Sequence, residues 1–204
     1  MNNENNVKSE GAARKALSEA FDYFEVIIIA VCLVFFIFLC FFRTCRVSGA
    51  SMENTLYDSE TLIISNLFYT PTNGDIIVFH QTQTLNEPVV KRVIATEGQW
   101  VKVVCGEKPE DMKVYVSADE NIDESDLLDE SKYFNPDYKM QAFNGENFDF
   151  EAQQVPKGCV FVMGDHRYHS TDSRSSLVGF VDVRRILGKV LLRISPLDQF
   201  GAVE

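Results

Sequence analysis

The feature that most constrains this chain is Val26–Phe42, VIIIAVCLVFFIFLCFF, seventeen residues without a charge, proline or glycine. As an α-helix it covers about 25 Å, and Phe21, Tyr23 and Phe24 extend it to the length that a ~30 Å hydrocarbon layer requires. It is apolar on every side, whereas a helix packed on a soluble core keeps a polar face. A cleaved leader fits poorly, because the run is long, the preceding segment is weakly basic and no small-x-small site follows promptly. Charge leaves the orientation open, with Lys8, Arg14 and Lys15 on one side and Arg43 and Arg46 on the other. Residues 1–11 are polar and rich in Asn and Glu, and read as a disordered tail. Ala12–Tyr23 reads as a short amphipathic helix leading into the membrane. The chain thus divides into a tail and helix start over 1–20, a single span over 21–43 and one domain over 44–204, long enough for a sizeable core.

Beyond the span the pattern changes to short β-type runs. Glu60–Ser65, Asp75–His80, Pro88–Ala95 and Trp100–Cys105 are expected strands, with turns at Pro71–Gly74 and Glu97–Gly98. Lys113–Ser117, Phe148–Phe150, Gly158–Met163 and Arg185–Ile194 add further strands. Without βαβ alternation, the fold class is mostly β, a β-sheet or barrel-like domain behind one helix. The net charge is −11, from 19 basic and 30 acidic residues, which argues against a nucleic-acid surface. Residues 107–151 hold 14 acidic residues against 4 lysines, a net −10, and read as a solvated acidic excursion. Within it, Asp119–Asp126 lacks the glycine and closing glutamate of an EF-hand loop. The cysteines are odd in number, Cys32, Cys40, Cys45, Cys105 and Cys159, so no disulfide framework is evident, and a Cys105–Cys159 bridge depends on geometry that sequence cannot supply.

Chemistry concentrates in three segments. Arg46–Leu56 follows the apolar run and carries Ser51, whose hydroxyl needs a base before it can attack. Lys91 lies in the apolar strand Val89–Ile94, where alternation sends Lys91 and Arg92 to opposite faces, one of them toward the core. Taken alone, a lysine there is commonly a gatekeeper against strand pairing. Burial, however, disfavours the ammonium and can make a neutral lysine a usable base at moderate pH, and Ser–Lys pairs are a known hydrolase arrangement. Met163–Arg174 packs Gly, Asp, His, Arg and Ser into one loop. There Asp172 and Arg174 can pair, and Ser170 is available to orient the lysine amine.

These segments together resemble the type I signal peptidases, membrane-bound Ser/Lys proteases that remove signal peptides from exported proteins. The matching pieces are Gly49-Ala50-Ser51-Met52 with Thr55-Leu56, then Gly74–Phe79, then Lys91–Ile94 with Gly98, and finally Gly164-Asp165 through Arg167, Ser170 and Asp172–Arg174, followed by Gly179 and Gly188-Lys189. The likeness runs over about residues 20–200. It implies Ser51 as nucleophile, Lys91 as general base, Ser170 as the residue orienting the amine, and Asp172 and Arg174 as support. Gly49 stands where some members place a serine of the oxyanion hole, which would leave the hole to backbone N–H groups, an oxyanion site at Gly49 and Ser51. The implied substrate is a signal peptide with a small-x-small site, extended beside Ser48 and Ala50 on one side and Val89 and Val90 on the other. No cofactor is implied.

The compact, single-anchor form looks like the Gram-positive branch. That implies a bacterial plasma-membrane protein whose catalytic domain lies outside the cytoplasm against the bilayer, near the secretion translocon. Three departures stand out: Asn54 replaces a usual proline, Ala95-Thr96-Glu97-Gly98-Gln99 replaces Gly-Leu-Pro-Gly-Asp, and His166 replaces a usual asparagine. Other readings are a Ser–His–Asp hydrolase using His166 or His169, and a non-catalytic membrane-anchored binding domain. Taken as ordinary residues, all three histidines, His80 included, are loop or strand-surface positions. The self-cleaving Ser/Lys repressors share the dyad but carry a DNA-binding head in place of the anchor.

Overall fold

The computed structural model describes residues 2–80, 88–105, 112–133 and 149–203. It divides into two compact units, Met1–Phe42 and Arg43–Glu204.

The first unit is one continuous helix, α1 (Asn2–Phe41). The expected disordered tail is therefore helical from its second residue. Residues 2–20 contain no proline, and Ala, Glu, Lys, Arg and Leu, all good helix formers, supply 11 of the nineteen. The Glu19–Phe41 portion is long and apolar enough to cross a membrane, and its apolar side chains are exposed.

The second unit is built from antiparallel strands. Its larger sheet has the order β1-β2-β10-β3-β4-β8-β9, with β11 paired to β10. These strands are β1 (Phe42–Arg46), β2 (Thr61–Ser65), β3 (Ile76–His80), β4 (Pro88–Thr96), β8 (Cys159–Met163), β9 (Val181–Asp182), β10 (Ile186–Ser195) and β11 (Gly201–Ala202). A smaller sheet of order β6-β5-β7 comprises β5 (Trp100–Val104), β6 (Lys113–Ser117) and β7 (Phe150–Gln154). The expected β class holds, but neither sheet closes into a barrel. β1, β9 and β11 had no periodic signal, since each is short or polar. Phe148, placed in a strand by the sequence pattern, lies outside the described residues.

The central strands bury both faces, so they read as continuous apolar runs rather than as alternation. From β3, Ile76 and Val78 join one core with Val47, Met52, Leu56, Leu62, Ile64, Val90 and Val190. Ile77 and Phe79 enter a second core with Val93, Val160, Val162, Val181 and Ile186. A third core joins Ile94, Ala95, Phe161 and Met163 of the large sheet to Val101, Val103 and Val114 of the small one. The first core positions the site, because Met52 and Leu56 flank the Ser51 turn and are fully buried in the sheet.

The described part of the acidic excursion is more ordered than its composition implies. It contributes β6, a 3-10 turn at Glu124–Asp126 and the start of β7. Asp123 and Asp126 cap that turn reciprocally, which gives part of the acidic cluster a structural use. All five cysteines are free thiols.

Gly188 sits where β10 crosses β2. A Cβ there would lie 2.9 Å from the Ser65 backbone, while one at Gly201 meets open space. Gly188→Ala should cost about 1–3 kcal/mol by overpacking. The expected outcome in thermal unfolding is a clear loss of Tm for Gly188→Ala and little change for Gly201→Ala.

Candidate active site

Ser51 lies in a tight turn between β1 and β2. Glu53 N–H donates to the Ala50 carbonyl at 3.1 Å, and the N–H groups of Thr55 and Leu56 donate to Met52 O. Two residues give the turn its left-handed backbone, Gly49 at φ +88° and Asn54 at φ +90°. Proline, locked near φ −65°, cannot occupy the Asn54 position in this form, and asparagine tolerates it. The departure at Asn54 thus has a backbone cause. Gly49 N–H donates to Asp58 Oδ1 at 2.8 Å, which closes the base of the turn. The sequence reading gave Gly49 an oxyanion role, but here its N–H is committed to Asp58. Ser51 N–H has no acceptor among the described residues.

Lys91 reaches this turn from β4. Its Nζ donates to Ser51 Oγ at 2.6 Å and to the Val90 carbonyl at 2.9 Å. The amine is buried, and burial is the largest influence on it, pushing its pKa from 10.5 down to about 8. The Asp172 and Asp165 charges oppose the fall and the Arg174 charge assists it. Val90 O therefore supplies the second acceptor that the sequence reading assigned to Ser170.

Ser170 Oγ is buried and makes no hydrogen bond of ordinary geometry, yet lies close enough to Asp172 to favour that carboxylate's charge. Asp172 accepts from Arg174 Nε and Nη2, both at 2.8 Å, and from Gly164 N–H at 3.0 Å. Burial pushes its pKa up, but Arg174, Gly164 and Ser170 outweigh that and hold it below the usual value. Ser173 fastens the same loop to β8, its hydroxyl accepting from Val162 N–H and its own N–H donating to Val162 O.

The sequence reading missed how Arg92 is used. Alternation put one of Lys91 and Arg92 toward the core, but both are buried, at 5% and 2% exposure. Arg92 Nε and Nη2 grip Asp165 at 2.9 and 2.8 Å, and Nη1 donates to Gly74 O at 2.8 Å. Thr55 Oγ1 donates to the same carboxylate. Tyr133 covers the guanidinium, its ring centroid 4.0 Å from Cζ. Arg167, also buried, forms a two-pronged pair with Glu130. Tyr133 and Glu130 belong to the acidic excursion, which charge counting alone had assigned to solvent. Desolvation, aided by Glu130, pushes the Tyr133 hydroxyl up to about 12.

Around the dyad, Ser48 is exposed and Ala50 half-buried, Val89 is half-buried, and Val90 lies in the core against the Ser51 turn. β4 pairs with β3 from Pro88 to Arg92 but with β8 only from Arg92 onward, so Pro88–Lys91 keeps one unpaired edge among the described residues. Gly164 must be glycine because a Cβ would lie 2.4 Å from Ser51 O and 2.3 Å from Ser170 Oγ. His166 Nδ1 lies 3.2 Å from Ala50 O, and its ring leans against His169. The group bonded to Ser51 Oγ is Lys91, not a histidine.

A serine hydrogen-bonded to a buried lysine thus lies beside a loop held by paired Asp and Arg residues on a β-scaffold. The family model described as signal peptidase, peptidase S26, matches residues 20–195. Signal peptidase I of Bacillus caldolyticus is 36% identical over 85% of this chain and 90% of its own length. Signal peptidase I T of Bacillus subtilis is 31% identical over 98% of this chain and 97% of its own. A crystal structure of a signal peptidase I from Enterococcus faecalis is 27% identical over 59% of this chain and 97% of its own, with a TM-score of 0.41. The chain belongs to the signal peptidase family, peptidase S26. Its enzyme class is signal peptidase I, a protease of signal-peptide processing.

Removing one partner of the Arg92–Asp165 pair strands a buried charge. Asp165→Ala should lower stability by about 3–5 kcal/mol in denaturant unfolding, and Arg92→Met with Asp165→Leu should cost less than Asp165→Ala alone.

Proposed function

We propose that this protein cleaves signal peptides from exported preproteins after small-x-small motifs, with Ser51 as nucleophile and Lys91 as general base. The observation that carries the reading is the 2.6 Å contact between Ser51 Oγ and a buried Lys91 Nζ whose pKa has fallen to about 8. When neutral, the amine accepts the Ser51 proton as Oγ attacks the scissile carbonyl. The tetrahedral oxyanion forms beside Ser51 N–H, which has no acceptor among the described residues. The resulting ammonium then protonates the leaving amine, and an ester remains on Ser51. Water deprotonated by Lys91 hydrolyses that ester and releases the signal peptide.

The substrate adds as an extended strand along the open edge at Pro88–Lys91, with Ser48 and Ala50 on its other side. Val89 flanks that edge, and Val90 contributes through backbone rather than side chain, which is in the core. Seating the substrate excludes water from Lys91 and favours the neutral amine further. Ser170, Asp172 and Arg174 shape the amine's surroundings. The dyad needs no cofactor.

In the same proposal the Glu19–Phe41 helix is the single membrane anchor. The domain from residue 44 onward acts outside the cytoplasm at the bacterial plasma membrane, close to the translocon.

With a purified preprotein in detergent, Ser51→Ala and Lys91→Ala should each lower cleavage by roughly 10⁴-fold or more, and Ser51→Ala should abolish labelling by a β-lactone or penem. Wild-type rates in Lys91→Ala would sink the mechanism. Cleavage should rise with pH with a midpoint near 8, as Lys91 loses its proton. The stability sign follows from the same shift. The unfolded lysine holds its proton to 10.5 and the folded one only to about 8, so the unfolded state binds more protons between those values. Stability should therefore rise across that window, and the cost of burying the ammonium is fully present below it. Lys91→Met should lose that rise in denaturant unfolding at stepped pH.

A further inference from the structure

Ala50 O and Ser51 N–H belong to one rigid peptide plane, so whatever holds the carbonyl aims the N–H. Two donors converge on this carbonyl. One is Glu53 N–H at 3.1 Å, from within the turn. The other is His166 Nδ1 at 3.2 Å, from the loop after β8. A carbonyl only accepts, so the contact requires the proton on Nδ1. The same residue's backbone N–H donates to Ser51 O at 3.2 Å. His166 thus holds the carbonyls on both sides of Ser51.

Its own position is rigid. The preceding residue, Asp165, is locked to Arg92 and Thr55, and Gly164 allows the loop to press against Ser51 O. Gly49 N–H is spent on Asp58, whereas Ser51 N–H has no acceptor among the described residues.

Resting on the proposed Ser51–Lys91 mechanism, we infer that His166 is a positioning residue for the oxyanion site. Its imidazole fixes and polarises the Ala50–Ser51 peptide so that Ser51 N–H points at the developing negative charge. A hydrogen bond onto the carbonyl also strengthens the N–H of the same amide as a donor. Because the oxyanion exists only after attack, the effect belongs to the chemical step rather than to substrate binding. Both the neutral Nδ1–H form and the imidazolium donate to Ala50 O, so the device works across the titration of this ring, with Glu53 and His169 as its charged and titratable neighbours.

The test is steady-state cleavage of a preprotein by the full chain in detergent, comparing wild type with His166→Leu, His166→Asn and His166→Asp. An asparagine amide nitrogen falls near the place of Nδ1 and can donate, whereas leucine and aspartate cannot. His166→Leu and His166→Asp should lose about 10- to 100-fold in kcat, as expected for a misaligned catalytic group, with KM within about threefold of wild type. His166→Asn should restore most of that loss, and the rise with pH near 8 should persist in all three, since Lys91 is untouched. An undiminished kcat in His166→Leu, or in His166→Asp should the leucine variant not fold, would overturn the inference, as would a loss carried by KM or an asparagine variant no better than aspartate. Those results leave the Ser51–Lys91 reading intact. A wild-type chain that neither cleaves nor labels at Ser51 overturns both.

Discussion

The buried pairing of Arg92 with Asp165 is the interaction on which the rest of this site depends. Arg92 neighbours Lys91 on β4, Asp165 neighbours His166 on the loop after β8, and Thr55 of the Ser51 turn donates to the same carboxylate. Three segments distant in sequence thus meet at one pair of charges. Burying two ions is costly, and a well-packed apolar pair in their place is often equally stable or more so. What the ions add is direction. A guanidinium fork admits one carboxylate geometry, and that geometry fixes the relative placement of the lysine, the serine turn and the loop that closes over them.

Charge balance around Lys91 follows from the same architecture. Desolvation lowers its proton affinity, and two buried carboxylates would restore it if they acted unscreened. Asp165 faces Arg92 and Asp172 faces Arg174; both carboxylates still raise the amine's proton affinity and the Arg174 charge lowers it, but burial prevails. Burial is thus the main reason the Lys91 amine loses its proton near pH 8, with the Arg174 charge assisting. Ser51 in turn is held by Met52 and Leu56, whose burial makes its turn part of the core rather than a loop.

Much of this was legible in the chain. The apolar run, the strands of the large sheet and the Ser51, Lys91 and Gly164–Arg174 segments stand out because each is a local pattern or matches a family's order of motifs. What escaped depends on contacts across the fold. Alternation along Val89–Ile94 predicted one buried cation, but β4 is covered on both faces, so both are buried. Gly49 had the right position for an oxyanion donor, yet its N–H is claimed by Asp58 nine residues on, a bond no spacing rule announces. The helical N-terminus was misjudged because its polarity was weighed and its helix propensity was not.

The acidic excursion has a consequence for the modularity of this chain. By composition it resembles a detachable insertion, one that a minimal protease could shed. Yet Glu130 neutralises Arg167 and Tyr133 roofs Arg92. Excising the segment would open two buried cations, Arg92 and Arg167, to water. The insertion is a keystone, and any trimmed version of this enzyme must supply a replacement anion and a replacement aromatic lid before it can dispense with it.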